Sequence, residues 1–173
     1  MWWRSSALIA ALFAGLAALA LAGCGFQPLY GGTTAGGAKL AEVMAAVEIA
    51  PIPGRVGQKL RNELIFTNTG GGYAAPTRYK LDIAIKESVT DELVQITGDA
   101  TGQVYQLEAS FKLIDPSTRE VLFQGKAISR AAYNRLQEIF ANVRARYDAE
   151  NRAARTISES IKTQLAAFLA KAA

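Results

Sequence analysis

The most distinctive chemical group in this chain is a lone thiol. Cys24 is the single cysteine among 173 residues, and it closes an apolar run from Ala7 to Ala22 that follows Met1-Trp2-Trp3-Arg4. One positive charge, an apolar stretch and then small residues form the pattern of a secretory signal peptide. The run is short for a membrane span, which takes about 20 residues. Leu21-Ala22-Gly23-Cys24 has the form of the bacterial lipobox. Small residues before the cysteine let the chain enter a narrow peptidase site, and the thiol is the group that receives diacylglycerol. The expectation is a signal peptide over residues 1–23 and an N-acyl, S-diacylglycerol lipid on Cys24. Each buried CH₂ contributes roughly 0.8 kcal/mol, so several acyl chains hold a protein on a membrane where one does not. The next residue is Gly25 rather than the Asp that retains enteric lipoproteins at the inner membrane, which points to the outer membrane.

The other side chains argue against catalysis. There is no histidine, so the commonest general base and the commonest neutral metal ligand are both missing. A zinc site would need carboxylates and one thiol, a poor ligand set, so neither a metal nor a dissociable cofactor is expected. Ser160 and Lys162 stand two apart on a helix and point away from each other. Asp91-Glu92 reads as a solvated pair in a loop. Gly70-Gly71-Gly72 lacks the Lys-Ser/Thr and the strand-before-helix context of a phosphate-binding loop. The expected class is therefore not an enzyme. With 19 basic and 15 acidic residues the charge is mildly positive and scattered, unlike the footprint of a nucleic-acid binder.

The elements that must position any site follow from periodicity. Residues 24–40 read as a lipidated flexible tether, although Phe26-Gln27-Pro28-Leu29-Tyr30 is too apolar for a pure linker and suits docking on a surface. Residues 41–173 read as a single α+β domain. Ala41 to Ile52 predicts a strand, ended by Pro51 and Pro53. Val56, Leu60 and Leu64 recur every four residues and predict a short helix over Arg55–Thr67, stopped by the glycines that follow. Arg78–Val89 alternates, with Tyr79, Leu81, Ile83 and Ile85 on one side. A loop through Thr97–Gly102 leads to a strand with Tyr105, Leu107, Ala109, Phe111 and Leu113 on one face. Asp115-Pro116-Ser117-Thr118 is turn chemistry, and Val121, Phe123, Gly125 and Ala127 begin another alternating strand. From about Ala141 to Lys171 one long helix carries Val143, Tyr147, Ala154, Ile157, Ile161, Leu165 and Phe168 as its apolar stripe. The expected architecture is a mainly antiparallel four-stranded sheet with a short and a long C-terminal helix packed on one face.

Alternation also puts Lys80, Lys86, Lys112, Lys126 and Arg130 on the opposite face, with Asp82 and Glu108 among them, and Arg119 in the turn beside it. Two readings stand for these basic residues. They are an ordinary solvated face with lysines guarding an edge strand, or an anion-facing surface suited to phosphates or a lipid headgroup. The mixed charges of the long helix likewise suit either a solvated, salt-bridged surface or a partner contact.

The run Leu21-Ala22-Gly23-Cys24-Gly25-Phe26-Gln27-Pro28-Leu29-Tyr30 resembles the start of the LPS-assembly lipoprotein family (LptE), in its alphaproteobacterial branch. The lipobox is common to many lipoproteins, whereas Cys-Gly-Phe-x-Pro-Leu-Tyr is much narrower. The order of strand, short helix, three strands and long helix agrees, as does Tyr147-Asp148-Ala149 opening onto an Ala/Arg-rich helix. The resemblance implies a non-enzymatic outer-membrane lipoprotein, anchored on the periplasmic side and seated in the lumen of the LPS-export β-barrel (LptD). It further implies that the protein helps assemble that barrel and binds lipopolysaccharide through basic residues. Lys80, Lys86, Lys112, Arg119, Lys126 and Arg130 are the candidates for that role. The alternative is a lipid-anchored periplasmic adaptor subunit of another envelope transport complex.

Overall fold

The computed structural model describes residues 34, 36–73, 75–94, 100–135 and 138–172. The signal peptide, Cys24 and the Phe26–Tyr30 cluster lie outside the described residues. The chain runs α1 (Leu40–Ala45), β1 (Val47–Ile49), α2 (Gly54–Thr69), β2 (Tyr79–Val94), β3 (Ala100–Ile114), β4 (Val121–Asn134) and α3 (Ile139–Ala172). The protein is α+β. Its sheet has the order β1-β2-β3-β4, with β1 parallel to β2 and the other pairs antiparallel. β1 covers only residues 79–81 of β2.

The segment read as a strand over Ala41–Ile52 divides in two. Its first half is the helix α1, because Leu40, Val43 and Met44 stand at helical spacing and all three are buried. The second half, Val47–Ile49, is a strand that Pro51 and Pro53 end. The helix expected from Val56, Leu60 and Leu64 forms with all three buried, and Gly70 terminates it with φ 63°, which glycine adopts without a Cβ clash. The two central strands run further toward the hairpin between them than their apolar residues suggested. Thr101 and Gly102, read as loop, belong to β3.

One face of the sheet is apolar. Leu81, Tyr105, Leu107, Phe111 and Leu113 are almost fully buried there beneath α3, which packs on β3 and β4, while α2 packs on α3 and β1. α3 buries Ala154, Ile157, Ile161 and Leu165 as expected, together with Ala149, Ala153 and Ala166, whose small size lets the helix approach closely. Val143 and Tyr147, expected in that stripe, are 42% and 43% exposed. This end of α3 is exposed at Ile139 and Phe140 too, and Tyr147 instead carries the guanidinium of Arg55 4.4 Å above its ring. Val121, expected inward, is 44% exposed. A register shift pairs it with Ile114 and turns it to the other face.

Gly125 fits where it stands for a packing reason. A Cβ on it would come within 2.5 Å of the Phe111 ring and 2.7 Å of Gln164 Oε1. Among the described residues no helix is long and apolar enough to cross a membrane.

Candidate functional site

The register of β2, β3 and β4 settles which basic residues are neighbours. Lys80, Lys86, Lys112, Lys126 and Arg130 all fall on the face away from the helices, as alternation predicted, because no bulge interrupts the pairing between them. Lys112 stands across from Asp82 on one side and Gln124 on the other. Lys126 stands across from Ser110, in the row that ends at Ala84. Lys86 faces Glu108, and Ser88, Gln106 and Arg130 form the next row. Cross-strand neighbours on one face are about 5 Å apart and diagonal ones about 7–8 Å, so Lys112 and Lys126 are diagonal partners. Arg119 is not on the face. It lies in the turn beyond the row of Lys80, with φ 62°, where Asp115 organises the backbone. The Ser117 hydroxyl and amide both donate to Asp115 and hold its carboxyl below the usual carboxylate range.

Between these rows the face is concave. Asp82, Lys112 and Gln124 form one wall, and Lys126 stands beside the short side chains of Ala84 and Ser110, which form the floor of a depression of about 660 Å³. The depression exists because a row of small side chains lies between two rows of long ones. Its charges are unequally engaged. Lys80 Nζ is 3.5 Å from Asp82 Oδ1. Arg130 Nε donates to Gln106 Oε1 over 2.7 Å, and Gln106 Nε2 donates to Glu108 Oε1 over 2.6 Å. Among the described residues, Lys86, Lys112 and Lys126 make no ion pair or side-chain hydrogen bond. Two unpaired ammonium groups flanking a small-residue floor can receive a phosphate or carboxylate. Each exposed contact is weak alone, and several together are screened by salt.

Sequence reading found the cations of this site and missed its floor. Ala84 and Ser110 carry no chemistry of their own, and only the strand register reveals that they lie side by side. It also missed a second polar cluster. Glu150, one of the long helix's mixed charges, is 4% exposed and is held by Arg55 of α2 and by Arg146, whose Nε donates to it over 2.9 Å. The i,i+4 spacing of Arg146 and Glu150 was legible, but Arg55 comes from another helix. Beside them Tyr105, fully buried, donates its hydroxyl to Glu87 over 2.7 Å. Burial first, then that bond and the charge of Glu87, push the phenol well above its ordinary value. Arg55, Arg146, Glu150 and Glu87 line a cleft of about 430 Å³ in which each of the two carboxylates already has a partner. The arginines tie α2 to α3 through Glu150, and Tyr105 ties β3 to β2 through Glu87, so the cleft is not an open anion site.

The same arrangement of elements occurs in solved lipoprotein structures. A Caulobacter crescentus chain named as a lipoprotein is similar over 76% of this chain and 96% of its own, with TM-score 0.63 and 20% identity. A minor lipoprotein from Acinetobacter baumannii matches over 70% of this chain and 90% of its own, with TM-score 0.54 and 14% identity. Lipoprotein B from Nitrosomonas europaea matches over 70% and 82%, with TM-score 0.53 and 15% identity. At these identities the likeness is one of fold. No protein-family model matches the chain, and no curated protein matches it.

Proposed function

We propose that this is an outer-membrane lipoprotein that binds lipopolysaccharide with the outer face of its sheet and acts as the plug and assembly partner of the LPS-export β-barrel. The observation that carries the reading is the concave basic face, where Lys112 and Lys126 stand unpaired around a floor of Ala84 and Ser110, with unpaired Lys86 in the adjacent row. The phosphorylated sugar headgroup of lipopolysaccharide is a polyanion of suitable chemistry for such a surface. The lipobox at Cys24 and the Gly-Phe-Gln-Pro-Leu-Tyr run after it support the anchor and the choice of barrel. A fold shared with three chains named as lipoproteins supports the envelope setting. The mechanism is binding rather than chemistry. Lipid on Cys24 holds the protein at the membrane, the domain fills the polar lumen, and the lysines engage the headgroup.

The test uses the full-length protein in detergent. Replacing Lys86, Lys112, Lys126 and Arg130 together by Ala should weaken lipopolysaccharide binding at least tenfold and flatten its dependence on salt. Unchanged affinity would sink the headgroup assignment. Affinity capture of the tagged protein from its own envelope reads the partner separately. A stoichiometric β-barrel is the expected result, and recovery of an inner-membrane transporter instead would favour an adaptor subunit.

A further inference from the structure

The two edges of the sheet are finished differently. At β4 the main-chain oxygens of Lys126 and Ala132 are taken by Gln164 and Arg152 of α3. At β2 the neighbouring strand stops early. β1 pairs only with Tyr79–Leu81, after which the Ala50 amide donates to the Leu81 carbonyl over 3.0 Å and Pro51 has no amide with which to continue. That last bond fixes the parity of the rest of β2. Successive residues of a strand turn their main-chain groups to opposite sides, so Ile83, Ile85, Glu87 and Val89 point their amides and carbonyls outward as Leu81 does. Among the described residues none of these groups has a hydrogen-bond partner.

The devices that usually guard such an edge are missing from it. The stretch from Ile83 to Thr90 contains no proline, its register with β3 is unbroken as far as Asp91, and Lys86 is its one basic residue. Outward donors and acceptors recur about every 6.8 Å along it, a repeat that another extended chain matches.

The side chains around the edge describe that chain further. On the helix side Ile85 is half-buried and Val89 is 40% exposed. Glu87 shares its cleft with Val56, Val143 and Tyr147, and α3 continues past Val143 to the exposed Phe140 and Ile139. α3 packs over β3 and β4, which leaves this apolar strip beside β2 uncovered among the described residues. On the outer face Lys86 has no ion pair. A strand laid along β2 would itself alternate, with one set of side chains against the apolar strip and the other beside Lys86.

We propose that the open edge of β2 over residues 83–89 accepts an added strand from another polypeptide chain. The partner segment is extended, apolar at alternate positions that lie against Val89 and Val143, and acidic between them beside Lys86. The inference does not rest on lipopolysaccharide binding, and its test contains none.

The probe is a synthetic peptide of about nine alternating valine and glutamate residues, added to the full-length protein in detergent. Two control peptides carry N-methyl groups, one on its valine amides and the other on its glutamate amides. Whichever set faces β2, one control should bind at least about tenfold more weakly than the parent peptide and the other should bind as the parent does. Hydrogen exchange locates the contact. The amides of Ile85, Glu87 and Val89 should exchange freely in the protein alone and about tenfold more slowly with the parent peptide, while those of β4 stay unchanged. Equal affinity for the two controls, or no binding up to about 1 mM peptide, would overturn the proposal. So would protection of these three amides without peptide, which would show that the edge is already covered, by a second copy if the protection rises with protein concentration and by the chain's own residues if it does not.

Discussion

Gln164 of α3 donates its Nε2 to the main-chain oxygen of Lys126 over 3.1 Å. The long helix thus fastens the strand segment that carries one of the two diagonal lysines, from the side of the sheet opposite the depression. Arg152 does the same six residues further along β4, donating to the Ala132 carbonyl over 3.0 Å. These bonds satisfy outward carbonyls on β4, which would otherwise offer an open edge. The helix beneath the basic face thus holds its outermost strand at two points.

Replacing Gln164 by Leu keeps the packing volume and removes that bond. Exchange of amides around Lys126 should accelerate severalfold, with global stability lowered by about 1 kcal/mol, the usual net worth of one hydrogen bond. Unaltered exchange in β4 would show that the bond does not fasten the strand.

Gly125→Ala introduces a Cβ 2.5 Å from Phe111 and 2.7 Å from Gln164. Overpacking of this kind costs about 1–3 kcal/mol. Denaturant unfolding should show that loss, and combining it with Phe111→Leu should recover part of it, since the smaller side chain vacates the space. A double variant no more stable than the single one would mean the clash lies elsewhere.

Glu150 is nearly buried between two half-exposed arginines, so the three positions should respond unequally. Arg55→Ala leaves Arg146 to balance the carboxylate and should cost about 1 kcal/mol. Arg55→Ala with Arg146→Ala strands a buried charge and should cost roughly 3 kcal/mol or more, beyond the sum of the single changes. Strict additivity in a double-mutant cycle would refute the shared-carboxylate arrangement.

The Tyr105 phenol is held above its ordinary value of 10.0 in the folded protein. The native state therefore keeps its proton at pH values where the unfolded chain has lost it. Its contribution is complete below about pH 10 and declines as pH rises further. Tyr105→Phe should flatten the alkaline limb of a stability–pH profile while leaving the neutral region shifted by a constant amount. An equally steep limb in the variant would assign the loss to other groups.

Much of this molecule is written locally in its sequence. The alternation of Tyr105, Leu107, Ala109, Phe111 and Leu113 fixes one face of β3, and the spacing of Ile157, Ile161 and Leu165 fixes the buried stripe of α3, because both depend only on backbone period. The same alternation set Lys80, Lys86, Lys112, Lys126 and Arg130 on one side of the sheet before any pairing was known. Where a local pattern was ambiguous, the surroundings decided. Val43 and Met44 fell in a segment read as strand, and Leu40 in the tether before it, until α2 and α3 supplied the surface that buries all three as a helix.

Relationships between distant segments belonged to the tertiary structure alone. Pairing Ser110 with Ala84 and Lys126 requires the register of three strands, and a shift by one residue would have turned every lysine toward the core. The partnership of Arg55 with Glu150, 95 residues apart, depends on how two helices cross. Nothing in the local sequence around Asn68 shows its burial, and only packing around the end of α2 buries its amide without a partner. Sequence determined which way each side chain faces along its own element; the fold decided which of them meet, since contact is a property of two backbones and not of one.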